Sequence, residues 1–309
     1  MGFLHVVAVS QFSRNDLEQI FTHADAMRDL PRNEQRLSGR ILATIFYEPS
    51  TRTRLSFESA MLRLGGGVIS TENAREFSSA IKGETVEDTI RIVESYADAI
   101  VIRHYEQGAA NRAAKVSAVP ILNAGDGPGE HPTQALLDLY TIRHELGRID
   151  GLKVALVGDL KYGRTARSLA LLLRETTGAE LIFVSPPSTP MGDDIRAELD
   201  SAGVRYRDES NLDAALAEVD VVYQTRIQKE RFDSPADYET ARGSYVIDST
   251  SLSLMQPDAI LLHPLPRVDE IATDVDADPR AAYFRQAQNG VYVRMALLDL
   301  VLNQRGESA

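Results

Sequence analysis

Short apolar, β-branched runs alternate along the chain with stretches whose apolar residues recur every three to four positions, and this alternation predicts strands and helices in turn. Residues 40–47 form one such run, which ends at Glu48-Pro49-Ser50-Thr51-Arg52-Thr53-Arg54; beyond it Leu55, Ala60, Met61 and Leu64 keep helical spacing. A buried strand, a polar turn and a helix are predicted there. Upstream, residues 15–28 predict an amphipathic helix capped by Ser13 or Asn15. Residues 70–84 are polar without a period and predict a long loop carrying Ser78 and Lys82. A helix over 85–96 leads to a strand over 99–104, which sets Arg103 at a strand's carboxyl end. A strand over 120–125 runs into the glycine-rich turn Asp126-Gly127-Pro128-Gly129-Glu130-His131, and a helix opens at Pro132, where proline is at home in a first turn.

A second alternation begins with the near-continuous apolar run 153–160, of the kind found in parallel sheets. Helices over 166–175, 194–201 and 212–219 separate it from strands over 180–185, 204–207 and 220–226. Residues 227–244 are charged and poorly periodic, as a lid would be. Strands over 245–247 and 259–262 precede a helical stretch over 279–303, with a predicted interruption near Asn289-Gly290. The repeated βαβα order predicts an α/β fold with two doubly wound parallel-sheet domains and helices on both faces. The division expected is 1–148 and 149–288, with a C-terminal helix over 289–309 packing back on the first domain. Ligands of such sheets sit at the carboxyl ends of the strands, where the polar clusters of this chain fall.

Those clusters define the candidate chemistry. At a helix N-terminus the unpaired backbone N–H groups and the positive end of the dipole favour an anion. Ser50, Thr51 and Thr53 add hydroxyls and Arg52 a planar fork of donors, which together make a phosphate cradle. Arg103, Arg164 and Arg226 stand at further strand ends, with His131, Gln134, Gln228 and the loop residue Lys82. This set suits small, multiply anionic molecules, because guanidinium binds phosphate and carboxylate bidentately. Neither glycine fingerprint of nucleotide sites is present.

Composition narrows the field. The chain has 309 residues, 43% hydrophobic and 25% charged, with a formal charge of −12. That charge argues against nucleic acid or anionic lipid as a general partner, so attraction for an anion has to be local. With no cysteine and six histidines that lack metal-ligand spacing, neither a metal nor another cofactor is expected. No run is long enough for a membrane span, and no signal-peptide pattern opens the chain; a cytoplasmic protein is the expectation.

Three segments carry a resemblance. Ser50-Thr51-Arg52-Thr53-Arg54, His131-Pro132-Thr133-Gln134 and His263-Pro264-Leu265-Pro266-Arg267 resemble the signature segments of the carbamoyltransferases, in particular their aspartate-using branch. Lys82-Gly83-Glu84, residues 159–165, residues 225–231 and residues 268–274 extend the likeness in the same order. The resemblance implies that Ser50, Thr51, Arg52, Thr53 and Arg103 hold the phosphate of carbamoyl phosphate. It implies that Thr53, Arg103 and His131 face the carbamoyl oxygen, while Gln134 and the backbone carbonyls of Pro264 and Leu265 hold the amino group. Arg164, Arg226 and Gln228 are then expected on the two carboxylates of L-aspartate. Ser78 and Lys82 are expected to reach a neighbouring subunit's site in a homotrimer. Glu48 is expected to pair with Arg164 or Arg231 and favour a closed form. Pro49, where similar proteins commonly carry a small residue, and Ile81, where some have a second lysine, are departures that delete none of these contacts.

Three rivals follow from the same residues. An ornithine-using enzyme shares the cradle, but calls for an acid in the second pocket and a cysteine in the segment that reads His263-Pro264-Leu265-Pro266 here. A non-catalytic relative would lack the cradle or His131. A nucleotide-binding regulator would carry the missing glycine fingerprints. Regulatory chains or a dihydroorotase-type partner are left open.

Overall fold

The computed structural model describes residues 4–31, 34–74, 83–227 and 245–303. The chain divides into two compact units, residues 1–137 with 288–309, and residues 138–287.

The first unit holds four parallel strands, β1 (Ile41–Phe46), β2 (Gly67–Glu72), β3 (Ala99–His104) and β4 (Ile121–Asp126), in the order β2-β1-β3-β4. Both faces of β3 and β4 are buried, which explains why they read as unbroken apolar runs. On one face Ala43, Ile45, Ile100, Ile102 and Ile121 pack with Val86 and Ile90 of α3 (Val86–Val93) and Ala110 and Ala113 of α4 (Ala109–Val116). Helix α1 (Arg14–Arg28) starts at Ser13, whose hydroxyl accepts from Asp16 N while the Asp16 carboxylate accepts from Ser13 N. Helix α2 (Thr51–Arg63) follows β1, α5 (Pro132–Leu146) follows β4, and α10 (Tyr283–Asn303) closes the described chain.

The second unit has five parallel strands, β5 (Lys153–Val157), β6 (Glu180–Val184), β7 (Arg205–Glu209), β8 (Val221–Gln224) and β9 (Ile260–Leu262), ordered β7-β6-β5-β8-β9. Its helices are α6 (Arg164–Leu172), α7 (Asp193–Ser201), α8 (Leu212–Leu216) and α9 (Ser249–Leu254). Ala155, Val157, Ile182, Val184 and Val222 form a core with Leu212, Leu216, Leu252 and Met255. The α/β class and the two parallel sheets with helices around them agree with the sequence reading.

Several elements differ in detail. Residues 67–72, partly read as loop, form the edge strand β2; it pairs on one side only, so its polar, half-exposed sequence carries no burial signal. Residues 109–116 and 249–254 are helices that the periodicity did not single out. The strand expected over 245–247 reduces to a single bridge, Ile247 to Ile271. Helix α10 runs through Asn289-Gly290 without interruption. A Cβ at Gly290 would stand 3.0 Å from Leu137 Cδ2 and 2.6 Å from Arg294 Nη1, so the glycine serves close packing inside a continuous helix.

Helix α10 is tied to the first unit by Asp299, a buried carboxylate that receives Arg36 bidentately at 2.8 and 2.7 Å and lies 2.6 Å from His23 Nε2. Burial pushes the Asp299 carboxyl up, but the hydrogen bonds from His23 and Arg36 outweigh it and hold the group below the ordinary carboxylate value. A depressed value means stabilisation that is complete above the ordinary carboxylate range and is lost as pH falls through the folded one. Asp299→Asn is therefore expected to cost about 2 kcal/mol at neutral pH, less than a fully buried pair because Arg36 is partly exposed, with the gap to wild type closing as pH falls below the ordinary carboxylate range; urea midpoints across that range check it.

Candidate active site

In each sheet the strand order reverses between two neighbours, β1 and β3 in the first and β5 and β8 in the second. Loops leaving such a pair diverge to opposite faces and open a crevice at their carboxyl ends. Predicted residues follow both reversal points: residues 50–53 and Arg103 at the first, Arg164 and Arg226 at the second.

In the first unit Phe46 pairs with Arg103 across the β1–β3 ladder, and Tyr47 N donates to Arg103 O at 2.8 Å. The segment that leads into α2 thus starts at Arg103. Ser50 is the N-cap residue, yet its side chain caps no backbone N–H; the hydroxyl donates instead to Thr53 Oγ1 at 3.1 Å. No acid occupies the first turn of α2, whereas α1 and α8 carry one there and α3 and α7 two. A helix start with hydroxyls, no carboxylate and no side-chain cap favours an anion. Arg103 is buried, and donates through Nη1 to Ala124 O at 3.1 Å and through Nη2 to Glu48 Oε1 at 3.0 Å. Arg54, part of the same sequence cluster, turns elsewhere: it donates to Ser70 Oγ at 3.2 Å and meets Glu72 at 2.9 Å on the edge strand.

The β4–α5 turn ends at the same edge. Asp126 Oδ2 accepts from Gly108 N at 2.8 Å and its Oδ1 from Glu130 N at 2.9 Å, and Asn123 Oδ1 accepts from Gly125 N at 2.7 Å. The turn so held presents His131, whose carbonyl accepts from Gln134 N and Ala135 N at the start of α5. The side chains of His131 and Gln134 are buried. Sequence reading gave Asp126 no role; the run Asp-Gly-Pro-Gly was the signal of a turn with an internal carboxylate acceptor.

In the second unit Arg164 is the first residue of α6, capped by Gly163 without a side-chain bond and without an acid in the first turn. Asp159 shapes the loop before it, accepting from Tyr162 N at 2.9 Å. Arg226 follows β8, where Thr225 N and Thr225 Oγ1 both donate to Val157 O, at 2.8 and 2.9 Å. Gly158 lies at φ +113°, and a Cβ there would stand 2.3 Å from Thr225 O.

After β9 the segment His263-Pro264-Leu265-Pro266 turns tightly, with Leu265 at φ +55° and a cis bond to Pro266. The left-handed Leu265 is held by its N–H donating to His263 Nδ1 at 2.7 Å, which leaves His263 Nε2 to donate to Glu270 Oε1 at 2.7 Å. Burial pushes the Glu270 carboxyl up, and the His263 bond with the backbone N–H groups of Glu270 and Val268 more than offsets this, so it is held below the usual carboxylate value. Neither His263 nor Glu270 had a role in the sequence reading beyond membership of a motif. Seven residues apart in a turn, they share no period that would have linked them.

Ser78, Lys82, Gln228 and Arg231 lie outside the described residues. Among the described residues no group of histidine and acidic side chains is arranged to hold a metal ion.

Residues 4–144 match the family description "Aspartate/ornithine carbamoyltransferase, carbamoyl-P binding domain", and residues 150–301 match "Aspartate/ornithine carbamoyltransferase, Asp/Orn binding domain". The chain belongs to the aspartate/ornithine carbamoyltransferase family. Within it, the chain is similar to aspartate carbamoyltransferases. It is 60% identical over 301 residues to aspartate carbamoyltransferase 3, chloroplastic, of Pisum sativum, covering 96% of this chain and 77% of that one. It is 51% identical over 300 residues to the aspartate carbamoyltransferase catalytic subunit of Chromobacterium violaceum, covering 97% and 98%. Among solved structures, the catalytic subunit of M. jannaschii aspartate transcarbamoylase superposes with a TM-score of 0.91 at 47% identity, covering 99% of this chain and all 100% of that one. Aspartate transcarbamoylase from Trypanosoma cruzi in complex with carbamoyl phosphate and aspartate gives 0.88 at 43%, covering 96% and 94%.

Gly158→Ala is expected to lower stability by at least ~2 kcal/mol, since the new methyl meets a backbone oxygen and the residue must hold a positive φ. Because Thr225 is the group displaced, the loss is expected to come with weaker binding of a dicarboxylate; thermal melts and aspartate titrations of the variant check both.

Proposed function

We propose that the chain transfers the carbamoyl group of carbamoyl phosphate to the amine of L-aspartate, giving N-carbamoyl-L-aspartate and phosphate on the route to pyrimidines. The observation that carries this reading is the edge of the four-stranded sheet, where the acid-free start of α2, without a side-chain cap, follows the strand that pairs with the buried Arg103. The identity to aspartate carbamoyltransferases in both halves supports it.

In the reaction so read, the aspartate amine attacks the carbamoyl carbon and the carbonyl becomes a tetrahedral oxyanion. The bond to the phosphate oxygen then breaks, and the leaving phosphate accepts the amine proton, so no side-chain base is needed. The protein's task is to orient two anions and stabilise developing charge. Ser50, Thr51, Arg52, Thr53 and Arg103 hold the phosphate. Thr53, Arg103 and His131 donate to the developing oxyanion, each contributing about 3 kcal/mol by comparison with other oxyanion donors. Gln134 and the carbonyls of Pro264 and Leu265 accept from the carbamoyl amino group. Arg164, Arg226 and Gln228 bind the aspartate carboxylates, and Lys82 and Ser78 serve a neighbouring copy's site. Glu48 belongs to domain closure, with Arg231 or Arg164 as its partner in the closed form. In the described state its carboxylate sits on Arg103.

A homotrimer is part of this reading. Leu55 and Leu62 of α2 and Ile69 of the edge strand β2 are exposed apolar side chains, which supports their being covered by another copy. Relatives named catalytic subunits support regulatory chains as further partners. No helix among the described residues is long and apolar enough to cross a membrane. A cytoplasmic site remains our reading beside relatives whose names say chloroplastic.

Phosphate release by the purified chain with carbamoyl phosphate is expected with aspartate and not with ornithine, with N-carbamoylaspartate as the product; turnover with ornithine would overturn the second pocket. Arg52→Ala is expected to lower kcat/KM about 10²–10³-fold with an unchanged circular dichroism spectrum. A folded, fully active variant would remove Arg52 from the cradle.

A further inference from the structure

Behind His263 a series of buried side chains extends through the second unit. Asp138, wholly buried on α5, accepts from Tyr223 OH at 2.7 Å and from Gln286 Nε2 at 2.6 Å. Gln286, buried in the first turn of α10, accepts at its Oε1 from His263 N at 2.9 Å. His263 in turn holds Leu265 N through Nδ1 and Glu270 through Nε2. The polarity of this relay is dictated at one end. The His263 backbone N–H can only donate, so Gln286 must turn its Oε1 to it, and its NH2 is thereby aimed at Asp138.

From this geometry we infer that Gln286 is a positioning residue for the carbamoyl amino group: anchored on Asp138, it fixes the backbone of His263 and with it the turn that presents the carbonyls of Pro264 and Leu265. The inference rests on the reading that those two carbonyls accept from the amino group. Leu265 is the residue that most needs such support. Its left-handed conformation is unfavourable for a branched side chain and persists only where neighbours over-determine it. The hydrogen bonds at His263 supply that constraint in two ways, through the backbone N–H to Gln286 and through the ring to Leu265 and Glu270. The relay includes no residue of the phosphate cradle, so its loss is felt at one end of the substrate only.

Acetyl phosphate separates the two ends, since it keeps the phosphate and the carbonyl but carries a methyl in place of the amino group. Dissociation constants for carbamoyl phosphate and acetyl phosphate are to be measured on the wild-type chain, on Gln286→Met, on Gln286→Glu, and on a double variant that combines Asp138→Asn with Gln286→Glu. The wild type is expected to prefer carbamoyl phosphate, and Gln286→Met to lose about tenfold of that preference while its affinity for acetyl phosphate is unchanged. In the double variant the new amide at position 138 accepts from Tyr223 and donates to the new carboxylate at position 286. The second oxygen of that carboxylate accepts from His263 N, so the relay is rebuilt with its charge moved. The preference is expected to fall in Gln286→Glu, where two carboxylates face each other, and to return in the double variant. Should Gln286→Met not fold, the comparison of Gln286→Glu with the double variant carries the test. A wild-type preference that persists undiminished in the folded single variants overturns the role of Gln286 and leaves the carbonyl reading standing. A wild type that does not distinguish the two phosphates overturns the carbonyl reading, and the positioning role with it.

Discussion

Parallel pairing is the constraint from which the rest of the molecule follows. When every strand of a sheet runs the same way, every carboxyl end lies on one edge, and each helix that follows a strand begins on that edge with its positive pole toward it. The described chain does this twice, and at each reversal of strand order the two neighbouring ends splay apart and leave room between their loops. Side chains then need only refine an environment that the backbone has already made favourable for anions. A chain of net charge −12 keeps acids out of the first turns of α2 and α6, while those of α1, α3, α7 and α8 carry them.

The same constraint explains what could be read without coordinates. A strand buried on both faces must be apolar throughout, so β1, β3, β4, β5, β6 and β8 announced themselves as runs, and the α/β class with them. Strand β2 did not, because an edge strand with half-exposed faces is under no such demand. Gly290 misled for the opposite reason: a glycine in a helical pattern signals weakness locally, while its reason for being there is Leu137, far away in sequence. In the candidate site, residues in consecutive clusters such as Ser50 to Thr53 were legible because one helix start collects them. The relay from Asp138 through Gln286 to His263 was not, since its members stand 148 and 23 residues apart and only the fold brings them into contact.

Hydrogen-bond polarity gives the second unit its rigidity of purpose. A backbone N–H that can only donate sets the direction of an amide, the amide is anchored on a buried carboxyl group, and an imidazole holds the next backbone N–H. Such a series propagates orientation without any residue changing charge, and it holds Leu265 in a conformation that its own side chain disfavours.

The first turn of α2 bears on the molecule in one more way. A helix ordinarily finishes itself, with a serine, threonine or aspartate folded back onto its leading amides; here the serine in that position is bonded to Thr53 and the finish is left undone. An anion seated at that start completes the helix as a cap would. Occupancy and secondary structure are then one equilibrium, in which the folded chain gains stability in proportion to the logarithm of the anion's concentration once that exceeds its dissociation constant. On the proposed reading, in which that anion is the phosphate of carbamoyl phosphate, the substrate itself would finish the helix, and the incomplete start would act as a gauge of supply as well as a grip.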